Sequence, residues 1–472
     1  MSGQHCRKRR LVIPGVLAVA AALVLAGPAK GQQPPSSQTP AAAGQTGPAG
    51  VDRARSLIRE GRFLEALKVL RPVVERHPHQ PDALFLVGLA GIEASGQPGV
   101  SDEVRDALLD AAIEALHAML VQDPSLVRAR LEMARAFFLK GKDSLARRHF
   151  EQVLAGDLPP AVVANVQRFL IRIRARKRWS VYFGAALAPD SNIGAASDER
   201  FIQIHVGGVP LSFRRDQEEL TTSGLGLSLW TGGEYQHPLG ERVRLRAGGD
   251  LSRREYAAAR YDQTNLGLHA GPRWLVGART DLSVLGSARR SLVHGSADYD
   301  ALGGRFEARR RLTRRLSVTG HASWHDRRYR VNRNLDGPVR DLSLSGNWVA
   351  TPTVRVDGAL GYGAERPAFV RNRNTSRWVR VGVRKSLPKG FSLGASAQLR
   401  WTDYEGEWIP HTPPGEFRED RTRTLSASVH HRRFTLYGFS PELAVTSEAR
   451  DTNAQLHDYR RNSAELRFVR QF

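Results

Sequence analysis

The chain has 472 residues, a formal net charge of +23 and a pI near 10.9. Its one cysteine, Cys6, lies in a leader-like segment, so the mature chain has no disulfide, thiolate metal site or cysteine nucleophile. The basic excess is mostly arginine scattered through alternating segments, without clusters or interleaved stacking aromatics, which argues against a nucleic-acid partner.

Arg7-Lys8-Arg9-Arg10 precede an apolar run from Leu11 to Ala26 interrupted by Pro14 and Gly15, and small residues follow at Gly27, Ala29 and Gly31. A basic start, a short apolar stretch and small residues make a secretory signal over residues 1–31, cut near Ala29 or Gly31. The run is about 16 residues, short for a membrane-spanning helix. An exported chain with neither cysteine nor an apolar helix long enough to span fits the bacterial outer membrane. Residues 32–51 are Pro, Gln, Ala, Ser, Thr and Gly-rich, uncharged and without period: a flexible linker.

From Asp52 the period becomes helical. Gly61, Phe63, Ala66, Leu70, Val73 and Pro78 set a frame; Leu109, Ala112, Leu116, Met119 and Pro124 match part of it, and Gly141, Ala146, Phe150 and Val153 repeat it. These spacings resemble the tetratricopeptide repeat, in which small residues let two antiparallel helices touch and a proline ends the second. The interval from Pro78 to Pro124 is about a dozen residues too long for one repeat, and the excess is placed in a loop around Ser95–Gly99. Residues 52–178 therefore read as a TPR-like α-solenoid of three helix pairs, then a helix from Pro160 to Lys177. Such a solenoid offers a concave surface for an extended peptide or a partner helix; the alternative is a domain that only plugs or braces the C-terminal half of the chain.

From Trp179 to the end, apolar and polar residues alternate, as along Val243-Arg244-Leu245-Arg246-Ala247-Gly248-Gly249-Asp250-Leu251. A strand sends successive side chains to opposite faces, so each such segment has one oily and one wet face. The wet faces have no aliphatic core to join, and the oily faces are too numerous to hide in water. A 14-stranded antiparallel transmembrane β-barrel over residues 179–472, with lipid outside and a polar lumen, satisfies both. Strands are expected at 179–188, 222–235, 242–254, 263–275, 281–291, 301–312, 315–327, 341–350, 353–365, 375–386, 391–402, 422–433, 435–450 and 461–472. With the helices in the periplasm, the longer polar connections (189–221, 255–262, 328–340, 366–374, 403–421, 451–460) fall outside and the short ones inside. Phe468 and Phe472 end the chain as a terminal aromatic strand of the kind read by the barrel-assembly machinery.

The stretch Tyr182-Phe183-Gly184-Ala185-Ala186-Leu187-Ala188-Pro189-Asp190-Ser191-Asn192-Ile193, the segment Phe434–Pro441 and the closing Phe468-Val469-Arg470-Gln471-Phe472 resemble the barrel domain of the surface lipoprotein assembly modulators, also called modifiers. The core Pro189-Asp190-Ser191-Asn192 is similar to that family's entry into its barrel. The resemblance covers roughly residues 52–472. It implies a protein that helps lipoproteins, or in some members soluble haem- or metal-scavenging proteins, across the outer membrane. The helical region is compact for that family, which bears on substrate choice.

No catalytic constellation stands out, so the chain is expected not to be an enzyme and to need no cofactor or metal. His430 and His431 point to opposite faces, and His321 and His325 are about 13 Å apart along a strand. No Gly-x-Ser-x-Gly sits between a strand and a helix. The lumen-facing set comprises Arg244, Arg246, Asp250, Arg305, Glu307, Arg309, Arg355, Asp357, Arg380 and Arg384. These charges either solvate a pore or form a hydrogen-bonding wall for an incoming chain, while Asp190 and Asn192 either cap a turn or handle substrate. Two functions remain: export of a client lipoprotein or secreted protein, and a diffusion pore for small anionic solutes regulated by the periplasmic repeats. Outer-membrane lipid and lipopolysaccharide phosphates are the expected surroundings of the outer arginines.

Overall fold

The computed structural model describes residues 49–156, 158–176, 178–206, 209–215, 220–277, 279–408, 411–431 and 440–471. The expected signal, most of the linker, Phe472 and residues 434–439 of the Phe434–Pro441 segment lie outside the described residues.

Seven helices precede the first strand among the described residues: α1 (Ala49–Arg59), α2 (Phe63–Arg76), α3 (Pro81–Ser95), α4 (Asp102–Gln122), α5 (Val127–Leu139), α6 (Asp143–Val153) and α7 (Pro160–Arg176). They form three hairpins and a connecting helix, each packed on the next in sequence. Gly61 and Gly141 turn the chain between α1 and α2 and between α5 and α6 at φ +76°, a conformation that costs glycine nothing. Ser101 caps α4 by accepting the amide of Val104. The frame residues Ala66, Leu70, Ala112, Leu116, Ala146 and Phe150 are all 0% exposed, Phe63 packs against the first hairpin's core, Pro124 is buried and Pro78 is exposed. Helix α1 starts at Ala49, ahead of the expected Asp52, because Val51 already joins the core at 1% exposure. The excess between Pro78 and Pro124 goes mainly into α4, at 21 residues far longer than α6 at 11, and only partly into the loop after Ser95.

The rest is strand: β1 (Trp179–Asp190), β2 (Phe201–Val206), β3 (Val209–Arg214), β4 (Gly224–Pro238), β5 (Val243–Tyr256), β6 (Gln263–Val276), β7 (Thr280–Val293), β8 (Ser296–Arg311), β9 (Leu316–Tyr329), β10 (Gly337–Val349), β11 (Val354–Glu365), β12 (Asn374–Ser386), β13 (Phe391–Glu407), β14 (Phe417–His431), β15 (Ser440–Thr452) and β16 (Tyr459–Gln471). Fourteen of them form one closed antiparallel barrel in which sequential strands pair and β1 meets β16, so no edge is left open. No described helix is long and apolar enough to cross a membrane.

The side-chain alternation sorts as the sequence requires. On β5, Leu245 and Leu251 are 43% and 42% exposed on the outer wall, while Arg244 on the inner wall is 4% exposed. Leu302, Leu342, Leu360 and Val381 likewise stand more than half exposed on the outer wall. At about 25 cal/mol per Å² of apolar surface, such a wall is unfavourable in water and is accommodated by lipid.

Two features differ from expectation. The first outer connection holds the β2–β3 hairpin, which pairs apart from the barrel and exposes Phe201, Leu211 and Phe213. The outer connection between β7 and β8 is a tight turn through His294 and Gly295, φ +50° and +75°, so one outer turn is as short as the periplasmic ones. Paired positive φ values match the right-handed twist of a hairpin.

Candidate functional site

The lumen wall is built from the wet faces of the strands and gains space where a glycine faces a large neighbour. A Cβ at Gly184 would lie 2.2 Å from the Trp230 ring, and one at Gly361 would lie 2.4 Å from that of Trp378. Both indoles therefore lie flat over glycines of the adjacent strand. Gly267 and Gly382 leave equivalent room for the carboxylates of Asp250 and Asp357.

One side of this wall is a neutralised network centred on Arg246. Its guanidinium donates to Glu234 at 2.6 and 3.0 Å, to Glu307 at 2.8 Å and to Ser283 at 2.9 Å. Arg305 meets the other oxygen of Glu307 at 3.1 Å, and Gln236 and His269 approach Glu234 at 2.6 and 3.3 Å. Arg273 bridges Gln236 and Asp281. The network joins five strands from β4 to β8 through side chains that sequence register alone places on one face. Arg244 is buried beside it.

The periplasmic end is different. Helix α6 brings Arg147 and Glu151 to the mouth, where Glu151 lies 3.7 Å from Arg311 and both line a cleft of about 100 Å³ with Arg309, Asp281 and Arg273. Leu170 and Ile173 of α7 line the same cleft. Helix α4 touches the barrel too: Val121 packs near Gly390, in the turn between β12 and β13. Above the cleft the lumen widens into two adjoining cavities of about 390 and 360 Å³, which hold Arg309, Arg355, Asp357, Arg380 and Arg384. Nine of the ten predicted lumen residues thus divide into a set in or beside the Arg246 network and an arginine-rich set near the helices, while Asp250 lies apart against Gly267; Arg147, Glu151 and Glu234, which complete both sets, were not singled out from sequence.

The segment Pro189-Asp190-Ser191-Asn192 closes the seam between first and last strands. Asp190 is 6% and Asn192 1% exposed. Arg461 on β16 donates through Nε to Asp190 Oδ2 at 2.8 Å, and the amide of Asn192 donates to Asp190 Oδ1 at 2.9 Å. Asn192 Nδ2 donates to the carbonyls of Ala196 and Arg460, and Ser191 Oγ accepts the amide of Asn462. Phe468 stands opposite Ala185 along the same seam. Beyond it, a second cluster ties the outer end of β14 to that of β13: Arg418 and Asp420, each 4% exposed as side chains, form an ion pair, and the Arg418 guanidinium stacks 4.6 and 4.7 Å over Tyr404 and Trp408. Among the described residues no group of three or more His, Cys, Asp or Glu is gathered as metal ligands.

A family model for surface lipoprotein assembly modifiers matches residues 179–472, the whole run of strands. This chain belongs to that family. Surface lipoprotein assembly modifier 1 of Neisseria meningitidis serogroup B is 22% identical over 418 residues, covering 87% of this chain and 80% of the relative. The protein of the same name from Haemophilus influenzae is 20% identical over 425 residues, covering 86% and 82%. Among solved structures, the outer membrane channel DcaP of Acinetobacter baumannii is 8% identical with a TM-score of 0.39, covering 62% of this chain and 97% of that one. The modifier barrel resides in the outer membrane, with the seven helices on its periplasmic side.

Proposed function

We propose that this modifier is a non-catalytic outer-membrane assembly factor that delivers lipoproteins, or soluble haem- or metal-scavenging proteins, to the cell surface. The hairpins, read as tetratricopeptide-like, capture the client in the periplasm, and the barrel gives it a hydrogen-bonding route outward. The observation that carries this reading is the seating of α4, α6 and α7 directly on the periplasmic mouth of a closed, polar-walled barrel. A client held by those helices is held at the lumen. The barrel-assembly machinery inserts the chain through its last strand, lipopolysaccharide phosphates meet arginines on the outer rim, and no nucleic acid, metal or cofactor takes part.

The test is surface labelling of a co-expressed client lipoprotein on intact cells, with and without this chain. Labelling that depends on the full chain supports export. Equal labelling in its absence, with small-anion uptake lost instead, replaces export by a diffusion pore.

A further inference from the structure

The two halves of the lumen are charged differently, although both are lined with arginine. In the Arg246 network, Arg246, Arg273 and Arg305 each have a carboxylate partner. Near the periplasmic mouth, Arg309, Arg355, Arg380 and Arg384 form no ion pair among the described residues, and Arg355 Nη2 is a buried donor without an acceptor. Among the described residues Glu151, Asp357 and Glu442 bring negative charge to the same walls and Asp281 faces Arg309 from the cleft below, while Glu151 is already shared with Arg311. Helix α6 adds Arg147 and Arg148 from below. The Arg148 side chain keeps contact with solvent but is surrounded by protein, and burial, followed by the facing charges of Arg355 and Arg384, holds its pKa below the usual arginine value.

Guanidinium groups confined together repel, and a buried N–H without an acceptor adds the cost of its lost hydration. An arrangement of this kind is relieved by an anion. We infer that the arginine-walled chamber at the periplasmic end of the lumen binds carboxylates, and that its occupant in export is an acidic, extended segment of the client. The shape favours a chain over a single small ion. The two cavities share Asn347, Arg355, Asp357 and Arg380 and so form one elongated slot. Thr319, Ser345 and Gln398 line it with groups able to pair with a peptide backbone. Arginine suits the task because its planar fork meets a carboxylate with two parallel hydrogen bonds. The inference rests on the export reading for its ligand, but the binding itself is measurable without export.

The experiment uses the full-length protein in detergent micelles and a fluorescent ten-residue Asp/Glu peptide. A Ser/Gly peptide of equal length and free citrate serve as competitors. The acidic peptide should bind more tightly than either, with affinity falling as salt rises. The Arg380→Gln/Arg384→Gln double variant should weaken it by about tenfold, whereas Arg340→Gln, a substitution on the outer wall, should leave it unchanged. Folding of each variant is checked by the gel-mobility shift of the unheated barrel. Unchanged affinity in a folded double variant overturns the site, as does equal binding of the Ser/Gly peptide. Citrate competing as tightly as the peptide overturns the peptide assignment and makes the chamber a small-carboxylate site. Peptide binding that persists while surface display proves independent of this chain defeats export and leaves the chamber standing.

Discussion

Asp190, the last residue of the first barrel strand, is ion-paired with Arg461 of the last strand, 271 positions away in the chain. The pair lies at the outer end of the one strand contact that the chain makes by closing on itself. Between Leu187–Leu466 and Asp190–Ser463 the β1–β16 register has no paired residues, and Pro189 within that gap has no N–H to donate. Asp190 and Asn192 therefore hold together the stretch of seam where the backbone ladder is thinnest.

Arg461→Gln should accordingly leave the nearly buried Asp190 without its partner and destabilise the folded barrel. The expected loss is roughly 2–4 kcal/mol, between the values for exposed and fully buried pairs. The temperature at which the compact gel band converts to the unfolded band measures it. Arg461→Lys should recover only part, because a single ammonium cannot reproduce the two-nitrogen contact. An unchanged conversion temperature in Arg461→Gln would show that the seam does not depend on this pair.

Arg246 is a comparable dependence inside the lumen. Arg246→Met keeps the stem but removes the guanidinium between Glu234 and Glu307, leaving Glu307 with Arg305 alone and Glu234 with Gln236 and His269, at a cost of roughly 3 kcal/mol. Adding Glu234→Gln and Glu307→Gln should restore much of that stability, since the penalty comes from unpaired charge rather than lost packing. Thermal gel-shift curves of the single and triple variants separate the two effects.

The barrel was legible because alternation is a local property, and a period of two over ten residues already fixes which face each side chain takes. Val243 to Leu251 is enough to place Arg244 and Arg246 on the inner wall. What that wall brings together was not legible: the pairing of Arg246 with Glu307 depends on curvature across four strands, and that of Asp190 with Arg461 on ring closure. Arg147 and Glu151 are an i,i+4 pair on α6 and read as a solvated helix face, until the helix is seen at the lumen mouth. The β2–β3 hairpin had a signal, since Phe201 to Val206 and Val209 to Phe213 flank Gly207-Gly208, but its anchorage rests on the Gln203 amide donating to Gln455, far along the chain. In the helical region the small and large frame residues were legible and the length of α4 was not, because a repeat frame fixes contacts better than ends.

The close contact between α3 and α4 gives a prediction confined to the helical region. A Cβ at Gly88 would lie 2.6 Å from Leu116, and one at Gly91 would lie 2.9 Å from the Leu108 carbonyl. Gly88→Leu should force the helices apart and cost about 1–3 kcal/mol. The helical circular-dichroism signal should melt earlier, while the barrel's gel shift stays where it was. A simultaneous fall in both would mean that the helices and barrel unfold as one cooperative unit.

Acidification should act on the outer loop that carries His457 and Asp458, and the two residues oppose each other. Burial, then the charges of Arg418 and Arg450, lowers His457 from 6.5 to about 3. The folded loop therefore holds a neutral imidazole, packed edge-on against Trp408, that the open loop would protonate. Stability from His457 is full above pH 6.5 and declines as pH falls toward 3. Burial, then the neighbouring Asp451 and Glu199, raises Asp458 to about 6 from 3.8. That contribution is present below pH 3.8 and is lost as pH rises through 6. With the carboxylate removed in Asp458→Asn the histidine acts alone, so amide exchange across residues 453–458 in that variant should be faster at about pH 4 than at about pH 7, after correction for the intrinsic rate. Asp458→Asn removes the carboxylate penalty, so this variant should exchange more slowly than the parent at about pH 7.5, with the difference shrinking toward about pH 4. A difference independent of pH would show that Asp458 acts through its hydrogen bonding and not its charge.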